Sequence, residues 1–466
     1  FFFFGQHGHA HLGAGYSILG AMLTTKKNRH SGKQNDWQED TIKKLLDWSS
    51  KQSRILTACG KAEFYYTHQR GYPYDNSELP HHHLSCGTTH TSFWGWAADA
   101  NKNIKSVICG AWSRPLFMGQ WEHSTGDEEE VFNVQTNTLF IDLRIPRDSY
   151  SYTKGLSSSS SIESLVASIS GMSEVQESMS EKNRKLDGAL SKEDLLRLLA
   201  RRHVFGGYSR LKIPSATDAT HSSLPVCTRH HCIDWNYIGE PRNRPNKWYV
   251  ELNSDSSQWK EWSFAKDDHH QSYYWEKWSR VNGDERGDGL VLAMRKSQPK
   301  QNRCQNWRDG ILVVVGNHFN YLFDRIPQHH SNNAKSAQNL IQLIDIAILN
   351  KDKETIESLL SMDGGHGTIS TGWKIDCSIQ PWRVNTTLFN PLKDTVRVEI
   401  LLDEQKEKRD SGDVNISPSF GAQQQRHCVL WNDERWDIYE SSIQNVKKLE
   451  YLFGCYDGEK LRNSRL

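Results

Sequence analysis

The sequence LFIDLRIP, residues Leu139–Pro146, is the clearest indication of the architecture of this chain. Its aliphatic residues occupy every second position and alternate with Phe140, Asp142 and Arg144. Because successive side chains of a β-strand point to opposite faces, this pattern predicts a strand over Thr138–Ile145 with one aliphatic and one charged face. Pro146 ends the strand, since proline has no backbone N–H for the hydrogen-bond ladder.

Short strand-like runs recur along the chain, separated by Gly, Asn, Asp and Pro, which predicts a mainly β protein with an antiparallel sandwich or barrel. The 17 Trp, 16 Tyr and 16 Phe agree, because aromatic side chains favour pleated, half-buried surfaces. About fifteen strands exceed the capacity of one small barrel, so two barrel halves and one barrel with an appended sheet are both open. The further predicted strands are Glu130–Gln135, Phe205–Ile213, Arg229–Tyr237, Lys247–Leu252, Gln258–Phe264, Ser272–Val281, Gly289–Lys296, Gly310–Phe323, Trp373–Ile379, Thr395–Leu402, Arg426–Trp431 and Arg435–Glu440.

The order of these runs predicts three regions. Residues 1–110 form an N-terminal extension that is partly helical and partly disordered. Residues 111–296 form a first barrel-like half, interrupted at 149–186 by a serine-rich insertion that buries too little apolar area to offset its ordering entropy. Residues 297–466 form a second barrel-like half or an appended sheet.

Three segments have helical rather than alternating patterns of apolar residues. One is Asp36–Leu56 in the N-terminal extension. The second follows Ser191, a plausible helix N-cap, and the third is Ser336–Asn350. The sequence therefore predicts a few helices among many strands.

The charge balance argues against two classes of partner. The 466 residues carry 57 Lys and Arg against 56 Asp and Glu, a formal charge of +1, which gives no global attraction to nucleic acid or anionic membranes. No apolar run is long enough to span a bilayer as a helix. Nine scattered cysteines favour free thiols in a reducing compartment such as the cytoplasm, although the chain begins at Phe1 and a targeting segment stays an open alternative.

Besides Leu139–Pro146, the chain contains an ordered set of short phrases. They are FGG at Phe205–Gly207, HHCIDW at His230–Trp235 followed by Pro241, YWEKW at Tyr274–Trp278, ILVVVGNHF at Ile311–Phe319 and PWR at Pro381–Arg383. The set resembles a group of bacterial and fungal lipocalin-like, or calycin-like, barrel proteins, which includes a yeast protein that interacts with casein kinase and has two barrel-like halves. The resemblance covers roughly Trp112 to Glu440 and implies a calycin-like β architecture without an established reaction.

Eight positions are the predicted ligand-binding residues, because each places a polar or aromatic side chain within an apolar strand. A buried charge is costly unless it is paired, so inward-facing polar groups of a barrel either pair with one another or contact a ligand. An internal salt-bridge network and an outward, solvated face are the alternatives. The positions are Asp142, Arg144, His231, Asp234, Tyr274, Glu276, Trp278 and His318.

Two of these positions are aromatic and flank a carboxylate. Alternation places Tyr274, Glu276 and Trp278 on one face of a strand. This face predicts a pocket for a flat apolar ligand that Glu276 orients. The alternative is that the aromatic side chains simply fill the barrel.

His318 follows Gly316-Asn317 in the most apolar run of the chain. We expect Leu312, Val314 and Asn320 to share a face with His318. The histidine then points into a cavity or is a hydrogen-bonded core residue.

No motif predicts a metal, a cofactor or a catalytic residue. Cys227–Cys232 contains both zinc ligand types, but the adjacent His230 and His231 point to opposite faces of a strand and no second ligand cluster lies nearby. The His-rich tracts near residues 7–11 and 81–83 lack a defined arrangement. The nucleophile elbow, the phosphate-binding glycine loop and the His-Glu-x-x-His motif are absent from the sequence.

These features predict a non-catalytic lipocalin-like protein that binds a small hydrophobic or amphipathic molecule in a barrel cavity. Two alternatives stay open, because a fold does not by itself define a function. One is a scaffold for a protein partner, with the serine-rich segment as a modifiable tether. The other is an enzyme that acts on a small molecule and uses Asp142, Glu276 or His318 as acid or base.

Overall fold

The structure, a computed structural model, describes residues 108–119, 123–125, 129–147, 161–167, 192–212, 224–235, 246–263, 274–281, 289–297, 307–326, 340–390, 394–401, 426–443 and 445–454. The predicted N-terminal extension up to residue 107, with its helix at Asp36–Leu56, lies outside these residues. So does most of the predicted serine-rich insertion.

Nine strands form the first sheet, and all neighbouring strands are antiparallel. β1 hydrogen-bonds to β3 on one side and to β9 on the other, so that β1 and β3 to β9 close into an eight-stranded barrel, while β2 pairs with β1. The predicted mainly β, antiparallel barrel architecture is confirmed. The strands are β1 Gly110–Gly119, β2 His123–Thr125, β3 Glu129–Gln135, β4 Leu139–Pro146, β5 His203–Lys212, β6 Val226–Asp234, β7 Asn246–Leu252, β8 Gln258–Ser263 and β9 Tyr274–Arg280.

Eight further strands form a second antiparallel sheet in the order β14-β13-β12-β11-β10-β17-β16-β15. Among the described residues, β14 and β15 are its outer strands. The strands are β10 Val291–Lys296, β11 Gly310–Val315, β12 His318–Phe323, β13 Asp363–Thr368, β14 Lys374–Ser378, β15 Val396–Leu401, β16 Arg426–Trp431 and β17 Glu434–Ser441.

β10 belongs to the second sheet, where it hydrogen-bonds to β11 and β17. The sequence pattern predicts a first half, residues 111–296, that would include β10. Because the pairing of β9 with β1 closes the barrel, the described part of the barrel offers β10 no free edge. The division of the chain into two halves as such stays a prediction.

Both faces of β4 are buried, for different reasons. Its aliphatic face packs against the second sheet in a common core that includes Ile141, Leu143, Val313 and Leu322. Its other face, with Asp142, points into the barrel. The alternation of Leu139–Pro146 therefore reflects two distinct environments, an apolar contact between sheets and a polar barrel interior.

Five α-helices are described, and four of them lie between β4 and β13 in the chain. Arg197 of α2 donates to Asp345 of α3 over 2.7 Å and ties the two helices together. A 3-10 turn lies at Pro381–Arg383. The α-helices are α1 Ile162–Ala167, α2 Lys192–Leu199, α3 Leu340–Leu349, α4 Lys353–Leu360 and α5 Val446–Leu452.

α1 lies within the predicted serine-rich insertion at 149–186, of which the structure describes residues 161–167. Ile162, Leu165 and Val166 are buried in the common core. Apolar residues at spacings of three and four form one face of a helix. Their burial offsets the loss of conformational entropy that ordering this segment requires. The helices predicted after Ser191 and at Ser336–Asn350 correspond to α2 and α3.

Among the described residues, no helix combines the length and the apolar character needed to cross a membrane.

Candidate functional site

One section of the barrel interior is filled by tryptophans. Trp112 contacts Trp259 edge to face, with ring centroids 6.0 Å apart, and Trp259 stacks on Trp278 at 5.4 Å. Trp248 completes the layer, and all four side chains are at most 2% exposed. Aromatic pairs in these geometries stabilise a core beyond their buried area. This tryptophan layer forms an apolar section of the barrel interior.

A second section of the interior contains charged side chains, of which Arg114 is the centre. Its guanidinium donates to Glu129 Oε2 over 2.6 Å and to Glu276 Oε1 over 3.0 Å. All three side chains are at least nine-tenths buried. Ion pairs with this geometry compensate much of the cost of removing the charges from water.

Asp142 and Arg144 form the next ion pair. Arg144 donates to both Asp142 oxygens over 3.0 and 3.2 Å, and Arg229 lies 3.8 Å away. Burial alone raises the pKa of Asp142, but Arg144 and Arg229 overcome this effect and hold the pKa below its ordinary value. Arg144 also lies 3.9 Å from Glu276 and keeps 19% of its side chain exposed.

Arg229 lies between the charged section and the tryptophan layer. Its guanidinium lies 4.2 Å from the ring centre of Phe140 and 4.9 Å from that of Trp248, which are cation–π distances. It also donates to Gln135 Oε1. Arg229 is therefore held by two aromatic faces as well as by polar partners.

His231 and Asp234 form a buried pair because β6 has a bulge. His231 pairs with Gly207 and Ile233 with Gly206, so that Cys232 is the extra residue. A Cβ at Gly207 would lie 1.9 Å from the carbonyl oxygen of His230, so only glycine fits there. The bulge brings two residues three positions apart to one side of the strand.

Both ring nitrogens of His231 have polar neighbours. Nδ1 lies 2.6 Å from Asp234 Oδ2, and Asn246 Nδ2 lies 3.4 Å from Nε2. The imidazole stacks on Phe205 with ring centres 4.5 Å apart. Nearby, burial and the charge of Arg144 lower the pKa of His203 to about 4.

Glu261 is the most unusual carboxyl group of the interior. It lies directly opposite Glu276 in the pairing of β8 with β9, and its Oε1 accepts a hydrogen bond from the Tyr274 hydroxyl over 2.9 Å. Burial, with a further contribution from the charge of Glu276, raises its pKa to about 8. Glu261 is consequently protonated in the folded protein at neutral pH.

This protonation predicts a pH-dependent stability. Below its ordinary pKa of 4.5 the Glu261 carboxyl is protonated whether the chain is folded or not; above it only the folded chain keeps the proton. The stability from this group is therefore lost as the pH rises through about 8. We expect urea unfolding midpoints of the wild type to decline between pH 5 and pH 9, and those of Glu261→Gln to decline less. Parallel profiles for the two proteins would show that Glu261 titrates normally.

Several buried polar atoms of the interior have no hydrogen-bond partner among the described residues. The amide of Asn133 is fully buried and neither its nitrogen nor its oxygen is bonded. Because native proteins leave few such groups unpaired, these atoms indicate water or another polar molecule inside the barrel. The other unbonded atoms are Glu276 Oε2, Arg229 Nε and the indole nitrogens of Trp248, Trp259 and Trp278.

The structure brings seven of the eight predicted ligand-binding residues together on the inner side of one barrel: Asp142, Arg144, His231, Asp234, Tyr274, Glu276 and Trp278. His318 is not among them, because it lies on β12 of the second sheet and stacks against His366 at 5.4 Å. A ligand contact for any of the eight stays a prediction.

The residues that share a face with His318 also differ from those that the sequence predicts. β11 and β12 are joined by the two-residue turn Gly316-Asn317, and Val315 pairs with His318. Val313 and Val315 therefore share the face of His318 and Asn320, whereas the expected neighbours Leu312 and Val314 belong to the core on the other side of the sheet. Because the turn has two residues, even-numbered residues of β12 lie on the same face of the sheet as odd-numbered residues of β11.

Sequence reasoning missed four charged members of the network: Arg114, Glu129, Arg229 and Glu261. One signal was present, because Trp259-x-Glu261 on β8 repeats the spacing of Glu276-x-Trp278 on β9 in reverse. Among the described residues, no group of three or more His, Cys, Asp or Glu side chains is arranged to hold a metal ion.

No protein-family model and no curated protein matches the chain. A solved structure, that of the uncharacterized protein YLR301w from Saccharomyces cerevisiae, is similar at 13% identity and a TM-score of 0.30, over 72% of this chain and 98% of that chain. A similarity at this level does not establish a common fold or function.

Proposed function

We propose that the closed barrel binds a small amphipathic molecule and does not change it chemically. The single observation that carries this proposal is the set of buried, unbonded polar atoms on the inner wall, Asn133 and Glu276 Oε2 above all. Barrels of eight strands are wide enough either to be filled by side chains or to hold one small ligand. Orphaned polar groups favour the second state, because a filled interior would leave them permanently unpaired.

The arrangement of the interior supports an amphipathic rather than a purely apolar ligand. The apolar part would lie against aromatic side chains such as Phe205 and Trp248. The polar part would contact the charged section around Arg144 and Glu276, where Arg144 and Tyr274 are partly exposed. Ligand pockets commonly combine an apolar lining with a few polar groups that orient the ligand.

A lipocalin-like relationship is part of this proposal. The closed antiparallel barrel agrees with the architecture that the lipocalin-like resemblance implies, and barrels of this size serve as carriers of single small molecules in that class.

Native mass spectrometry of protein purified gently from its own source tests the proposal. We expect a mass above that of the polypeptide, and release of a small molecule when the protein is denatured. Phe205→Leu, which alters the stack on His231, should lower the bound fraction, whereas Phe323→Leu in the second sheet should not. A bare chain in every preparation would contradict the proposal, and a bound second protein would favour the scaffold alternative.

A further inference from the structure

Glu261 and Glu276 form an unusual pair on neighbouring strands. They are directly opposite each other on β8 and β9, and both are at most 6% exposed inside the barrel. Like charges at directly opposite positions destabilise an antiparallel pair. A sheet that keeps two carboxyl groups in this position needs a compensating proton or cation.

The arginines of the interior do not supply this compensation. Arg114, Arg144 and Arg229 make their ion pairs with three other carboxylate sites, which are Glu129, Asp142 and the Oε1 side of Glu276. Within the described part of the chain, Glu261 has no ion pair, and the Tyr274 hydroxyl donates a hydrogen bond to it. Apart from the His231–Asp234 pair, three guanidinium groups thus face four carboxyl groups, and one negative charge is uncompensated when all four are ionised.

An independent observation points to a ligand at this pair. Glu276 Oε2 is unbonded although its side chain is 96% buried, given a side-chain exposure of 4%. The residue opposite Glu276 on its other side is Phe117, whose ring stacks with Tyr274 at 5.9 Å. Carboxylate oxygens beside aromatic rings are the surroundings that bind organic ammonium groups.

We propose that Glu261 and Glu276 bind the ammonium group of a small organic amine, whose apolar part lies along the aromatic side chains of the barrel. This inference rests on the proposed ligand-binding function and specifies its chemistry. An ammonium group donates up to three hydrogen bonds, and Glu276 Oε2 and the Glu261 carboxylate are acceptors for it. The ligand also neutralises the charge that the three arginines leave over.

Binding of an ammonium group carries a proton signature. Glu261 faces Glu276, Arg229, Arg144 and the Tyr274 hydroxyl, and in the unliganded protein at pH 7 it holds a proton. The cation favours the ionised carboxylate, so amine binding displaces that proton into the solvent. A residue with a merely structural role would not produce this release.

Isothermal titration calorimetry of the full chain at pH 7 tests the inference with three probes of equal length, hexylamine, hexanol and hexanoate. We expect hexylamine to bind at least about tenfold more tightly than hexanol, a difference of about 1.4 kcal/mol. Titrations in buffers of different ionisation enthalpy should show release of a proton with hexylamine and none with hexanol.

Two variants and a control make the result specific. Glu261→Gln and Glu276→Gln should each weaken hexylamine binding about tenfold or more and leave hexanol binding unchanged, and Glu261→Gln should abolish the proton release. Glu251→Gln, the same change at an exposed position of β7, should alter neither. Unchanged hexanol binding also shows that the variants are folded.

The outcomes separate this inference from the proposed function. Equal affinity for hexylamine and hexanol, or hexylamine binding that is insensitive to both variants, overturns the amine site while the barrel remains a binding site. No binding of any probe, together with a bare chain in native mass spectrometry, overturns both.

Discussion

Replacing Asn320 by alanine is expected to lower the free energy of unfolding by about 3 to 5 kcal/mol. Asn320 is fully buried where the second sheet meets the barrel. Its amide nitrogen donates to the backbone carbonyls of Phe132 and Ile141 over 3.1 and 2.9 Å, and its oxygen lies 2.8 Å from His366 Nδ1. Alanine leaves two carbonyls and one imidazole nitrogen buried without this partner, and each loss carries a desolvation penalty.

Urea unfolding followed by tryptophan fluorescence measures this effect. Asn350→Ala is the matched control, because it makes the same chemical change at an exposed helix end and should alter stability by less than about 0.5 kcal/mol. A change below about 1 kcal/mol for Asn320→Ala would mean that water replaces the amide and that the contact between the sheets is looser than the hydrogen bonds indicate.

The same contact contains a histidine that responds to acid. Burial, and then the neighbouring His318, lower the pKa of His366 to about 3. A histidine kept neutral by folding contributes stability above its ordinary pKa of 6.5, and this stability is lost as the pH falls through the folded value. The contact between the barrel and the second sheet is therefore least stable in acid. The contribution of Glu261 changes in the opposite direction, because it is lost as the pH rises.

The strand pattern could be predicted because alternation is a local property of the sequence. On β4 and β9 the odd and even positions differ in chemistry, and the inward side of each strand follows from that difference alone. The aliphatic side of β4 and the polar side containing Asp142 were thus readable without any knowledge of the neighbouring strands.

The composition of the site could be predicted only in part, because the register between strands is not a local property. Glu261 becomes important through its position opposite Glu276, and Arg114 through its place between Glu129 and Glu276. Nothing in the sequence near Arg114 indicates those partners. Network members that lie on different strands are found only when the pairing is known.

Bulges and turns also limit how well the facing of side chains can be predicted from the sequence. The two-residue turn Gly316-Asn317 decides which residues share a face with His318, and the bulge at Cys232 allows His231 and Asp234 to point to one side. A single added or omitted residue reverses the facing of everything that follows it on the strand. Glycine marks both places in the sequence, since Gly207 lies opposite the bulge and Gly316 has a positive φ of 59°.

Replacing Arg114 by methionine is expected to destabilise the fold by about 3 to 5 kcal/mol, because two buried carboxylates then lose the guanidinium that donates to both of them. The side chains of Arg114 and Glu276 are only 5% and 4% exposed. Arg397→Met is the matched control, since its ion pair with Asp433 is exposed and contributes at most about 1 kcal/mol. Equilibrium unfolding in urea compares the two variants directly.

A double-mutant cycle with Glu129→Gln distinguishes a lost ion pair from lost packing. If the ion pair carries the effect, Arg114→Met should lower stability less in the Glu129→Gln background than in the wild type, because one partner carboxylate is then already replaced by a neutral amide. The coupling between the two substitutions should reach about 1 kcal/mol or more. Equal losses in the two backgrounds would assign the effect to packing, which includes the contact between the guanidinium and the Phe117 ring, 5.3 Å from the ring centre.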